Sequence, residues 1–138
     1  MEHIDVTITG EGRDAGKTFR ITEMNALKGE WWAVRVLGVL ADGDRNGELS
    51  GLGGLGGVEA IAAAGLGVVM KCLLRADPDK IKPLWDEMRE CWALVLDNGM
   101  PRKLVEEDIA EIGTLVFLRM KTIELHLDFF TKSIQTLI

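Results

Sequence analysis

The chain has 138 residues, 47% of them apolar and 28% charged, enough for one domain with a core and too apolar for disorder. Its 16 basic and 22 acidic residues leave a formal net charge of −6, the wrong sign for gripping a phosphate backbone, so nucleic acid is excluded as a direct partner. The longest uncharged apolar run, Ala60 to Met70, has 11 residues against the ~20 that a membrane span needs, so a membrane is excluded too. Cys72 and Cys91 are the only cysteines, and no leader-like segment precedes the first strand-like run, which points to a reducing cytoplasm without a disulfide framework.

Residues 1–23 predict a β-hairpin. Ile4, Val6 and Ile8 alternate with Asp5, Thr7 and Thr9, and Phe19 and Ile21 alternate within Thr18 to Thr22. The connector between them, Gly10 to Thr18, approximates a phosphate-binding loop. That motif needs a glycine five residues before Gly16, where Glu11 stands, and a helix after it, where Thr18-Phe19-Arg20-Ile21 reads as strand. A plain hairpin loop is the better account.

Residues 24–42 predict a central helix. Met24, Leu27, Trp31, Val34 and Leu37 recur at helical spacing, while Trp32, Val36, Val39 and Leu40 fill another face. A helix apolar on most sides should be surrounded by protein, which would bury Trp31 or Trp32. Nine of the 16 glycines fall between Gly43 and Gly67, so residues 43–57 read as a glycine-rich loop.

Residues 58–99 predict helices. The first is alanine-rich and weakened by Gly65 and Gly67. The second carries the stripe Ile81, Leu84, Trp85, Met88, Trp92 and Val95, with Pro83 in its first turn and Gly99 as C-cap before Pro101. Asn98-Gly99 also suits a hairpin turn, but the preceding period is nearer 3.6 than 2, so helix is preferred.

Residues 106–138 predict a long C-terminal helix opened by the acidic Glu106, Glu107 and Asp108. Ile109, Val116, Ile123, Phe130 and Leu137 recur every seven residues, with a companion series Gly113, Met120, Leu127 and Ile134. Such a helix, about 45 Å long, outruns a body whose radius of gyration is about 14 Å. Apolar seams of this kind bind helices, so Val116, Met120, Ile123, Leu127, Phe130, Ile134 and Leu137 are the candidate partner-binding residues. No catalytic constellation, cofactor motif or metal-ligand spacing is present, and His126 reads as a rim residue. The fold class is α+β: an N-terminal β-hairpin, then a mostly helical body with a long C-terminal helix, all in one domain.

The segments Asp14-Ala-Gly-Lys-Thr-Phe-Arg-Ile-Thr-Glu-Met24, Glu30-Trp31 and Arg35, with Leu118-Arg119-Met120 and Leu125-His-Leu-Asp-Phe-Phe130, resemble the tail assembly chaperone family of long-tailed bacteriophages. The resemblance covers the two ends, about half the chain, and departs from the family at Asn25, where proline is usual, and at Gly29. It implies a non-enzymatic homo-oligomer in the host cytoplasm, without a cofactor, that binds the tape measure protein. The chaperone would keep that protein soluble until tail tube protein polymerises around it, and would be absent from the mature virion. The alternative is a structural tail completion or connector protein retained in the particle.

Overall fold

The computed structural model describes residues 2–43 and 66–137, with 66–67 and 128–137 described by backbone alone. Strands β1 (His3–Thr7) and β2 (Thr18–Thr22) form the expected hairpin, followed by helices α1 (Ala26–Gly43), α2 (Leu66–Arg75) and α3 (Pro78–Arg89). Strands β3 (Trp92–Val95) and β4 (Pro101–Lys103), a 3-10 turn (Glu106–Asp108) and helix α4 (Ile112–Leu137) complete the order. The strands form one antiparallel sheet in the order β1-β2-β3-β4, so the protein is α+β. The glycine-rich loop lies, past Gly43, outside the described residues, as does the start of the helix expected from residue 58.

Alternation sorts the two faces of the sheet. Ile4 sits opposite Ile21 and Val6 opposite Phe19, and on the other side of β2 Ile21 pairs with Trp92 and Phe19 with Leu94. These residues form one apolar face, with Phe19 and Ile21 fully buried beneath the helices. The outer face is polar: Asp5 pairs with Arg20 at 2.8 Å, and the Thr7 and Thr18 hydroxyls meet at 2.8 Å. Helix α1 contributes Trp32, Ala33, Val36, Val39 and Leu40 to the same core, α2 adds Val69 and Leu73, α3 Leu84 and Met88, and α4 Leu118 and Ile123.

Several expectations are corrected. The helix expected through residue 99 stops at Arg89, and Trp92–Val95 is a strand. Trp92 falls four residues after Met88, which continues the helical stripe by spacing alone. Its backbone instead pairs with β2, whose second edge would otherwise be unpaired. Gly99 turns the hairpin at φ +83°, a conformation that suits glycine, while the Asn98 side chain accepts the Met100 amide. Pro101 opens the edge strand β4, where its missing N–H costs nothing. Pro83 lies in the second turn of α3, not the first; Pro78 takes the N1 position after the Asp77 cap.

The C-terminal helix begins at Ile112 rather than 106, and Ile109 precedes it in extended conformation. Asp108 turns inward to accept both Arg102 guanidinium nitrogens and the Val105 amide, so the acidic cluster closes a loop instead of opening the helix.

The α1–α2 crossing depends on Gly43, where a Cβ would sit 1.9 Å from the Cys72 carbonyl oxygen. Neither backbone can yield that distance without separating the helices. Gly43→Ala should therefore cost about 3 kcal/mol, at the upper end of ordinary overpacking. Trp32→Ala, at a fully buried site, should cost about 3–5 kcal/mol. Trp31→Ala should cost under about 1 kcal/mol, because Trp31 is 61% exposed and Trp32 is the tryptophan that the core takes. Chemical denaturation of the three variants checks the ranking.

Candidate functional site

The loop that approximates a phosphate-binding motif closes on the chain's own C-terminal helix. Asp14, 1% exposed, accepts the Lys17 ammonium at 2.9 Å, the Ala110 amide at 3.0 Å, the Glu111 amide at 3.0 Å and the Thr114 hydroxyl at 2.7 Å. It thus supplies, from far along the chain, the negative charge that a helix N-terminus attracts. Lys17 also donates to the Asp108 carbonyl at 2.9 Å, so the lysine of the near-motif joins two loops. Burial by itself would raise the Asp14 pKa. Hydrogen bonds from Thr114, Lys17 and the two amides outweigh it and hold the carboxyl well below its usual range.

Further along α4 the stripe turned into the core is Thr114, Leu118, Thr122, Ile123, His126 and Leu127. Three of the six are polar, and each has its partners. Thr122 Oγ1 accepts the Trp92 indole N–H at 2.8 Å and donates to the Leu118 carbonyl at 2.7 Å. His126 Nε2 accepts the Met24 amide at 2.9 Å, so the proton belongs on Nδ1, which donates to the Thr122 carbonyl at 2.8 Å. His126 is therefore a buried, neutral joint between α4 and the entry to α1, not a rim residue. Burial lowers its pKa, against smaller opposing effects from the Thr122 carbonyl and Glu23.

The seven candidate residues are consequently divided. Ile123 is fully buried and Leu127 nearly so, both against the protein's own core, and neither is available to a partner. Val116 is exposed and Met120 half-buried. Phe130, Ile134 and Leu137 lie on the helical backbone, and their side chains fall outside the described ones. One residue that the seven-residue series missed belongs with Val116: Ile112, 79% exposed and one turn earlier on the same stripe. Its position four before Val116 and eight before Met120 was the available signal.

A second open apolar face was not anticipated. On α1, Leu27 is 85% exposed, and Trp31 and Val34 stand out beside it. Arg35 lies over the Trp31 ring at 5.5 Å and is itself clamped by both Glu87 carboxylate oxygens at 2.6 and 2.7 Å. Elsewhere, Arg119 is stacked between Trp85 and Trp92 at 4.8 and 5.4 Å and donates to the Trp85 carbonyl. Burial lowers its pKa to about 10, which leaves it a cation at neutral pH.

Reactive chemistry is sparse. Burial pushes the Cys91 thiol up to about 11, which keeps it protonated and a poor nucleophile. Among the described residues no group of three or more His, Cys, Asp or Glu is placed to hold a metal, and no helix is long and apolar enough to cross a membrane. Comparisons with protein-family models, curated proteins and solved structures return no match to this chain.

The Asp14 cluster, a latch between the hairpin loop and the start of α4, makes an acid-sensitive fold. Because the folded pKa of Asp14 lies below its unfolded value of about 3.9, its contribution is complete above that pH and is lost as pH falls toward the folded pKa. Asp14→Asn should cost about 3 kcal/mol at pH 7, since it removes the charge from a buried carboxylate that accepts four hydrogen bonds. It should also flatten the loss of stability between pH 5 and 3. Part of that slope should survive, because Asp5 and Asp108 are lowered as well, chiefly by hydrogen bonds from Arg20 and Arg102. Denaturant titrations of both proteins across this range provide the check.

Proposed function

We propose that this protein is a tail assembly chaperone of long-tailed bacteriophages, one that holds the tape measure protein soluble until tail tube protein polymerises around it. The observation that carries the reading is the open pair Ile112 and Val116 on α4, one turn apart and followed by half-buried Met120. Two exposed apolar side chains one turn apart, with a third half-exposed beyond them, suit the apolar face of another helix. An elongated helical protein with repeated apolar faces is such a partner.

The residues that carry the family resemblance support this reading by their placement. Asp14 and Lys17 set the start of α4, and Leu118 and His126 seat its inner face, so together they determine which face remains outside. Each covered apolar side chain contributes about 1.5–3 kcal/mol before the costs of association. One stripe is therefore a weak site. Several copies along one extended partner make a strong but displaceable coat, which is what a carrier removed by tube subunits requires. On this reading the protein works in the host cytoplasm as a homo-oligomer, uses no cofactor and leaves no copy in the mature virion.

Co-expression with the tape measure protein encoded in the same phage tests the proposal. The wild-type chain should bring that protein into the soluble fraction and co-purify with it. The double variant Ile112→Asp, Val116→Asp should remain folded, because both positions are exposed, and should lower the soluble yield several-fold. Equal yields with and without the chain would refute the proposal. Mass spectrometry of purified virions separates it from the structural alternative, since a completion or connector protein would be present there in fixed copy number.

A further inference from the structure

The α1 face opposite the core has the form of half an interface. Leu27, Trp31, Val34, Gly38 and Ala41 follow one another at intervals of four, three, four and three, the spacing of a helix-pairing seam. All five are exposed, while Trp32, Ala33, Val36, Val39 and Leu40 on the other side are buried. The seam itself contains no charged residue. It grades from large side chains at its N-terminal end to almost none at its C-terminal end.

Gly38 is the unexplained member. Its φ is not positive, and an added Cβ would meet nothing within 4 Å among the described residues. Neither backbone conformation nor packing within the described residues calls for glycine, yet in a helix interior it costs about 1 kcal/mol relative to alanine. Gly38 borders a cavity of about 500 Å³ together with Val39, Pro83 and Leu84, with Arg35, Asp42 and Lys80 at its rim. Seven residues earlier, two turns or about 10 Å along the same face, stands Trp31, steadied beneath by the clamped Arg35. A fixed aromatic knob and an apolar hole thus share one surface.

We propose that two copies of this chain pair through α1 in antiparallel fashion about a two-fold axis, each Trp31 entering the hole beside Gly38 of the other. A knob and a hole on one face satisfy each other twice in such a pair, which is the self-complementarity that a two-fold interface requires. Antiparallel pairing also sets the large end of one seam against the small end of the other. Trp31 then lies opposite the Gly38–Ala41 stretch, and a side chain at 38 would block the approach. The rim that exposed Glu30 would meet carries two basic residues, Arg35 and Lys80, against one acidic residue, Asp42. Asp42 pairs with Lys80 at 3.1 Å, so Glu30 would compete with Asp42 for that ammonium. The proposal rests on α1 alone and stands apart from the reading of α4, whose open stripe is a different surface.

The test uses the full chain alone, by sedimentation velocity between about 1 and 100 µM with hydroxyl-radical footprinting of Trp31. Wild type should form a dimer in which Trp31 is protected. Gly38→Leu fills the hole while favouring the helix, so it should remain folded, weaken the dimer at least about tenfold and restore oxidation of Trp31. Trp31→Ala should weaken the dimer similarly, with unchanged circular dichroism. A wild-type monomer at 100 µM overturns the proposal, whether Trp31 is accessible or is protected by the rest of the chain. A dimer indifferent to both substitutions overturns it as well.

Discussion

A carboxylate taken out of water has to be repaid by its neighbours, and the placement of Asp14 organises much of this fold. Three donors from a distant segment and one from its own loop converge on it, and the ammonium that balances it reaches on to the backbone of Asp108. Asp108 in turn holds Arg102 in the edge strand. Hairpin loop, edge strand and helix start are thus linked through two buried acids and two bases. Removing either base leaves a buried carboxylate with fewer donors, and breaking such a pair from one side is more costly than the intact pair is favourable.

Fixing the start of α4 also fixes its rotation about its own axis. Thr114 is tied to the latch, and every fourth residue after it, Leu118, Thr122 and His126, faces inward. Ile112 and Val116 then turn away from the core, with Met120 at its edge. The outward stripe that supports the proposed chaperone role is therefore a geometric consequence of where one aspartate sits. Its α1 counterpart follows similarly from Trp32, whose indole donates to the Leu84 carbonyl and commits that side of the helix to the interior.

Short-range alternation made the first hairpin legible, and the absence of proline made the C-terminal helix legible in outline. What escaped was set by partners far along the chain. The inner stripe of α4 uses two threonines and a histidine, acceptable in a core only because Asp14, Trp92 and Met24 meet them, so apolar periodicity followed Ile109–Val116–Ile123 instead. Trp92 to Val95 were drawn into a helix because a four-residue strand is too short to establish its own period, and the Asn98-Gly99 turn was the better signal. A helix apolar on most sides has no polar face to mark its outside. Its sequence could not show which of Trp32 and Trp31 the core takes, nor that its own chain would leave Trp31 uncovered. The structure leaves it open, and that difference exposes a surface that composition could not.

The latch is most directly tested by amide hydrogen exchange at Ala110 and Glu111, resolved by NMR, in the wild type and in Asp14→Asn. Both amides precede α4 and have the Asp14 carboxylate as acceptor. In the wild type they should exchange as slowly as core amides of α4, and in the variant they should speed up by orders of magnitude while the β1–β2 amides remain protected. Fast exchange at both positions in the wild type, or unchanged exchange in the variant, would contradict the claim that this aspartate sets the start of the helix.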